Sequence, residues 1–90
     1  MRKIETTKKF RRDFKRVLAG RPDLETILQA VLELLMADER LPARYRDHAL
    51  KGLDGVRDCH LKPDVILLSD FPDEDTLRLI RVGSHSDLSL

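Results

Sequence analysis

The chain is poor in the residues that cross-link a fold or stack on flat rings. Its 90 residues include no tryptophan, one tyrosine, three phenylalanines and a single cysteine. One cysteine cannot form an internal disulfide, so we interpret Cys59 as a small buried hydrophobe and expect a reducing, cytoplasmic location. The sequence has no apolar run near the roughly 20 residues that span a bilayer. Residues 1–5 also lack the apolar stretch of a secretory signal. These absences predict a protein without a membrane partner.

The net charge of +1 conceals a strong asymmetry along the chain. Residues 1–22 contain nine Lys or Arg and two Asp or Glu, whereas the rest contains eight and 14. A basic segment of this kind is typical of a surface for a polyanion or an acidic partner. A solvated helix face is the alternative, and charge alone does not decide between them.

A weak strand at residues 2–6 is followed by two amphipathic helices. The first has apolar residues at helical spacing, namely Phe10, Phe14, Val17 and Leu18. Thr6 or Thr7 should cap its start, and Gly20 should end it in the left-handed conformation. The second helix, with Asp23 as its N-cap, carries a longer stripe: Leu24, Ile27, Leu28, Val31, Leu32 and Leu35. The short connection predicts an antiparallel αα-hairpin.

The second half of the chain has the alternation of β-strands. From Val56 onward, Cys59 and Leu61 share an inward apolar face, while Asp58 and His60 share a polar face that we expect to be open. The predicted strands are residues 56–62, 65–68 and 76–82. The element order is then β-α-α-β-β-β in one domain, residues 1–90. This order predicts an α+β fold with an antiparallel sheet and the αα-hairpin packed on one side.

All three histidines, His48, His60 and His85, lie in this half. Imidazole can give and take protons near neutral pH. The strand order should bring His60, Asp64 and His85 to one region, with His48 on the loop leading into it. The spacings between the histidines match no short metal-binding motif, so the sequence indicates neither a metal nor a cofactor.

Such a cluster suits the cleavage of RNA by its own 2′-OH. The reaction needs a base, an acid and positive charge on the transition state. Two imidazoles can act as base and acid, Asp64 can orient one of them, and the cations can stabilise the developing charge. The candidate cations are Arg81, Lys51 and Lys62. Taken singly, a histidine on a loop is usually just a polar surface residue.

Three segments resemble the YafQ-type toxins of the RelE/ParE superfamily. They are LPARYRDHALKG at residues 41–52, GVRDCHLKPD at residues 55–64, and RVGSHSDL at residues 81–88. The resemblance covers nearly the whole chain. It implies a RelE-like fold and a toxin of a type II toxin–antitoxin pair that cuts messenger RNA in the ribosomal A site. It also implies a cognate antitoxin, expected to be of the ribbon-helix-helix type.

By position, the resemblance implies that His48, His60, Asp64 and His85 form the catalytic group. His85 would be the general acid, His48 or His60 the base or the transition-state stabiliser, and Arg81 a phosphate contact. The aromatic residues that relatives often carry near the site are replaced by Val65, Ser69 and Ser89. The alternative is a weak or inactive toxin-like module that binds an antitoxin, or acts on a non-RNA target as ParE-like relatives do.

Overall fold

The computed structural model describes residues 2–90, which form two helices, one 3₁₀ turn and five strands. In chain order these are β1 (Lys3–Thr6), α1 (Lys8–Val17), α2 (Pro22–Met36), the 3₁₀ turn (Ala43–Tyr45), β2 (His48–Ala49), β3 (Arg57–Lys62), β4 (Val65–Asp73) and β5 (Thr76–Gly83). The α+β class and the order of the predicted elements are confirmed.

The five strands form one sheet in the order β1-β5-β4-β3-β2. Strands β2 to β5 pair antiparallel, but β1 pairs parallel with β5. The purely antiparallel sheet predicted from the sequence is therefore wrong, and the sheet is mixed. Short turns force β3, β4 and β5 to run antiparallel. Strand β1 is separated from β5 in the chain by both helices and by β2 to β4, so no turn fixes the direction of β1 relative to β5.

The segment predicted as a loop around His48 contains the short edge strand β2. His48 pairs with Asp58 and Ala49 with Arg57 across the β2–β3 ladder. A two-residue strand is too short to show an alternation in the sequence. Its pairing fixes the backbone of His48 beside β3.

The helix ends follow the capping rules with one exception. Thr7 caps α1, its Oγ1 accepting a hydrogen bond from the Phe10 N–H at 2.9 Å, and Gly20 has the predicted left-handed φ of +81°. Helix α2 begins at Pro22, so Asp23 lies in its first turn and is not the N-cap. Proline suits the first helical position because its missing N–H has no partner there. Neither helix within residues 2–90 is long and apolar enough to cross a membrane.

Both faces of the sheet are covered. The main core lies between the helices and one face, with Leu18, Leu24 and Val31 fully buried against strand residues such as Leu67 and Val82. A smaller cluster on the opposite face contains Ile66, Leu68 and, from the C-terminal turn, Leu88. This second cluster covers the face that carries the histidines.

Candidate functional site

The three histidines form one cluster with His60 in the middle. The ring centroid of His60, on β3, lies 6.3 Å from that of His48 on β2 and 5.5 Å from that of His85, which follows β5. Three separate segments thus contribute one ring each. The structure brings together the histidines that the sequence grouped.

The expected open face of β3 is, however, closed. Asp58 is 5% exposed and His60 is 7% exposed. Their strand partners are Leu68 and Ile66, which belong to the smaller cluster. The predicted strand parity is therefore correct and the predicted exposure is wrong, because the C-terminal turn packs Leu88 over this face.

Asp58 lies between two of the histidines. Its Oδ1 is 3.2 Å from His60 Nδ1, and its Oδ2 is 3.7 Å from His48 Nε2. The 3.2 Å contact is not aligned as a hydrogen bond, and within residues 2–90 neither of its two buried atoms has another partner. A small rotation would pair them and direct the Nδ1–H of His60 to the carboxylate. Asp58 can thereby set the tautomer of His60.

Burial is the main cause that lowers the pKa of His60 below its ordinary value of 6.5. The charges of Arg46, His85 and His48 act in the same direction, while Asp58 opposes them. A histidine of this kind is neutral near neutral pH and can accept a proton.

This lowered pKa predicts a pH-dependent stability. Between the native pKa of His60 and 6.5, the unfolded chain binds the proton and the native chain does not, so the free energy of unfolding should rise with pH. The gain should be complete above 6.5 and lost as pH falls through this range. Urea denaturation between about pH 5 and pH 7.5 measures the slope. It should flatten in His60→Gln and persist in the matched control His48→Gln; an unchanged slope in His60→Gln would contradict the assignment.

His85 is held by Asp64 through two contacts. Asp64 Oδ1 accepts a hydrogen bond from the His85 backbone N–H at 3.2 Å and lies 2.8 Å from its Nδ1. The hydrogen bond from the His85 side chain is the main cause that lowers the pKa of Asp64 below its usual range. An ionised Asp64 favours a proton on Nδ1 and leaves Nε2 of the half-exposed ring available to substrate.

The turn that carries His85 is built by reciprocal hydrogen bonds. The Ser84 N–H donates to Asp87 Oδ2, and the Asp87 N–H donates to Ser84 Oγ, both at 3.0 Å. A Cβ on Gly83 would lie 2.9 Å from the Asp87 Cβ, so only glycine fits this approach. Burial of Leu88, worth about 1.5–3 kcal/mol, anchors the far end of the turn. His85 therefore sits on a fixed support.

Arg81 has a partner that the sequence does not indicate. Its Nε and NH2 groups donate to the two carboxylate oxygens of Asp13 on α1, at 2.9 and 3.0 Å. Asp13 also accepts a hydrogen bond from the Val82 N–H at 3.2 Å. The guanidinium of Arg81 is thus bound to Asp13, and its contact with phosphate stays a prediction.

The other candidate residues have different placements. Lys62 is exposed at the end of β3, while Lys51 lies in the turn after β2 and makes no ion pair within residues 2–90. Cys59 is 1% exposed, and burial raises the pKa of its thiol to about 12. The interpretation of Cys59 as a buried hydrophobe is confirmed.

Within residues 2–90, no three His, Cys, Asp or Glu side chains are arranged to hold a metal ion. The cluster instead consists of two histidine–carboxylate pairs, His60 with Asp58 and His85 with Asp64. Carboxylates placed behind imidazoles favour proton transfer, because they fix the ring tautomer and stabilise the protonated form.

The mixed five-stranded sheet, the two helices on one of its faces and this cluster on the other define a small RelE-like toxin. The family model for the bacterial YafQ toxin of type II toxin–antitoxin systems matches residues 2–90. The mRNA interferase toxin YafQ of Escherichia coli K12 is 34% identical over 88 residues, covering 97% of this chain and 95% of that protein. The chain belongs to the YafQ toxin family.

Solved structures agree with this assignment. The E. coli DinJ-YafQ complex matches with a TM-score of 0.84 and 34% identity, covering 98% of each chain. A metal-bound toxin from Helicobacter pylori matches with a TM-score of 0.87 and 44% identity, covering 98% of this chain and 99% of that one. The metal is a property of that protein.

Sequence reasoning identifies Asp64 beside His85, but it misses the roles of Asp58 and Asp13. The sequence places Asp58 and His60 on one strand face, because they are two residues apart, but it does not indicate that they contact each other. The sequence does not indicate the ion pair of Asp13 with Arg81, because nothing in the basic first helix links Asp13 to that residue. The Ser84-x-x-Asp87 spacing is a readable signal, since it is the pattern of a capping box.

Proposed function

We propose that this chain is an mRNA-cleaving toxin that works by acid–base catalysis at the histidine cluster. The observation that carries the proposal is the joint placement of His60 with Asp58 and His85 with Asp64, their rings 5.5 Å apart. The name of the E. coli relative, an mRNA interferase toxin, supports the same activity.

In the proposed reaction the 2′-OH of the substrate RNA gives its proton to His60 and attacks the adjacent phosphorus. His85 gives its proton to the departing 5′-oxygen, so the products end in a 2′,3′-cyclic phosphate and a 5′-OH. The lowered pKa of His60 suits its role as the base, because the neutral ring can accept a proton. The ionised Asp64 suits the role of His85 as the acid, because its negative charge stabilises a proton on the His85 ring. His48 and the nearby Lys62 would stabilise the charge on the phosphate. Imidazoles perform these proton transfers without a metal.

The substrate is proposed to be mRNA in the ribosomal A site, which places the toxin in the cytoplasm. A cognate antitoxin, proposed to be of the ribbon-helix-helix type, would keep it inactive. The E. coli DinJ-YafQ toxin–antitoxin complex, which matches this chain with a TM-score of 0.83, supports an antitoxin partner. The basic residues exposed on α1, including Lys8, Lys9, Arg11 and Arg12, offer a surface for the ribosomal RNA backbone.

The product ends test this chemistry. Cleavage of mRNA on programmed ribosomes should leave a 2′,3′-cyclic phosphate or its 3′-phosphate hydrolysis product, together with a 5′-OH. A 2′-O-methyl group at the cleaved nucleotide should abolish cleavage, because it removes the nucleophile. The cleavage rate should be the same with and without a chelator, provided that the concentration of free magnesium, which the ribosomes need, is kept constant.

Either 5′-phosphate ends or cleavage of the 2′-O-methylated RNA would contradict the proposal, since each requires an external water nucleophile. Growth arrest without any RNA cleavage would instead favour the non-enzymatic binding module.

A further inference from the structure

A cleft opens beside His60, between the 3₁₀ turn and the turn that joins β3 to β4. Its volume is about 470 Å³, with Arg44 and Arg46 on one side and Lys62 and Pro63 on the other. His60 and the apolar residues Ile27, Tyr45 and Leu61 complete its lining, and no acidic residue of 2–90 lines it. We call this feature, defined by these eight residues, the arginine cleft.

The three cations of the arginine cleft are not neutralised. Arg44, Arg46 and Lys62 are exposed and form no ion pair with a carboxylate anywhere in residues 2–90. By contrast, Arg57 and Arg81 are each bound to an aspartate. Uncompensated positive charge in a concave surface attracts an anion.

The arginine side of the cleft is held in place before any ligand binds. Tyr45 is buried in the main core, and the Arg44 guanidinium lies over its ring at 4.7 Å from the centroid. Arg46 has a left-handed φ of 50°, and its N–H donates to the Ala43 carbonyl at 3.0 Å. The Arg46 carbonyl is also 2.5 Å from His48 Nδ1. These contacts preorganise the cleft and connect it to the histidine cluster.

No Phe or Tyr side chain is placed to stack on RNA at this cluster. Phe10 and Tyr45 are buried in the main core and Phe14 packs against it. Phe71 lies in the distal half of β4, where the Arg2 guanidinium covers its ring at 4.3 Å. These are all the Phe and Tyr residues of the chain, which has no Trp. With no such rings at the cluster, contacts to the RNA phosphates have to supply more of the binding.

We infer that the arginine cleft binds the RNA backbone phosphate next to the scissile one, and so places the reacting ribose against His60. Arginine suits this task because its planar fork can bind two phosphate oxygens at once. The inference rests on the proposed function for the identity of the reaction, but binding by the cleft can be measured separately from cleavage.

The first measurement is the binding of a fully 2′-O-methylated RNA oligonucleotide, which cannot be cut. Arg44→Ala and Arg46→Ala should each weaken binding about tenfold and reduce the salt dependence of log Kd by about 0.7 for each phosphate that is no longer bound. Arg44→Lys should recover part of the affinity, because lysine restores the positive charge but not the planar guanidinium that binds two oxygens.

Arg40→Ala is the matched control. Arg40 is exposed, unpaired within residues 2–90 and outside the cleft lining, so the Arg40→Ala protein should bind RNA as the unchanged protein does.

The second measurement is cleavage on programmed ribosomes. Arg44→Ala should raise the half-saturating ribosome concentration about tenfold while changing the maximal rate by less than about twofold, as expected for a residue that only binds substrate. A histidine variant should instead lower the maximal rate. Arg44→Ala with the affinity and salt slope of the unchanged protein would overturn the cleft assignment while leaving the reaction intact.

Two further outcomes separate the alternatives. RNA binding that depends on Arg44 in a protein that cleaves nothing would support the cleft and remove the proposed reaction. Loss of co-purification with the cognate antitoxin in Arg44→Ala, with RNA binding unchanged, would assign the cleft to an acidic antitoxin segment and overturn the inference.

Discussion

Replacing His85 with alanine should reduce mRNA cleavage on programmed ribosomes by about 10³-fold, the usual contribution of a general acid. The departing 5′-oxygen would then leave without a proton from the enzyme. Growth arrest on induced expression should disappear with the cleavage. The fold should remain, because the His85 side chain is half exposed and its turn is held independently by Ser84, Asp87 and Leu88.

Two variants control this prediction. Ser86→Ala changes the next residue of the same exposed turn and should cleave normally. Asp64→Asn keeps an acceptor for the His85 backbone N–H but loses the charge beside the ring, so it should cause a smaller loss than His85→Ala. Toxicity that survives His85→Ala with unchanged RNA cleavage would show that another group supplies the proton.

The fold is predictable from the sequence wherever short-range patterns determine it. Helical spacing locates α1 and α2, and the apolar run at residues 65–68 indicates a central strand, whose Ile66, Leu67 and Leu68 are buried on the two faces of the sheet. The parallel pairing of β1 with β5 is not predictable in this way. The paired residues of β1 and β5 are more than 70 positions apart in the sequence. No short turn joins the two strands, and no periodicity in either of them specifies whether they pair parallel or antiparallel.

The histidine cluster is predictable in its members but not in its environment. Strand parity separates His60 from Cys59 because successive side chains point to opposite faces. The sheet face that carries His60 is covered by a cluster that includes Leu88 from the C-terminal turn. A single leucine near the end of the sequence does not indicate which part of the sheet it covers. The prediction that Asp58 and His60 lie on an open face is therefore wrong.

Long-range ion pairs mark the limit of prediction from one sequence. Asp13 and Arg81 are 68 positions apart, and Asp13 is surrounded in the sequence by basic residues that could have been its partner. In the structure, Asp13 is 2% exposed and its carboxylate joins α1 to β5. Burial raises the pKa of Asp13, but the hydrogen bonds from Arg81 and the Val82 N–H outweigh burial and hold the pKa below its usual range.

Asp13→Ala should therefore lower the free energy of unfolding by about 3–5 kcal/mol, the cost of removing one partner from a buried ion pair. The change leaves the guanidinium of Arg81, whose side chain is 29% exposed, and the Val82 N–H without their acceptor. Urea denaturation at neutral pH measures the loss. At that pH the stabilisation by Asp13 is complete, because it declines only as pH falls below 3.8 through the lowered native pKa.

Asp70→Ala is the matched control, because Asp70 forms the same kind of two-bond pair with Arg78 on β5, but Arg78 is 41% exposed. Its loss should be much smaller, since water can solvate the freed guanidinium. Adding Arg81→Met to Asp13→Ala should cost little more, because the methionine removes the unpaired charge that destabilises the single variant. If Asp13→Ala and Asp70→Ala destabilise the protein equally, the Asp13–Arg81 pair is not the link between α1 and β5, and apolar packing alone holds the helix on the sheet.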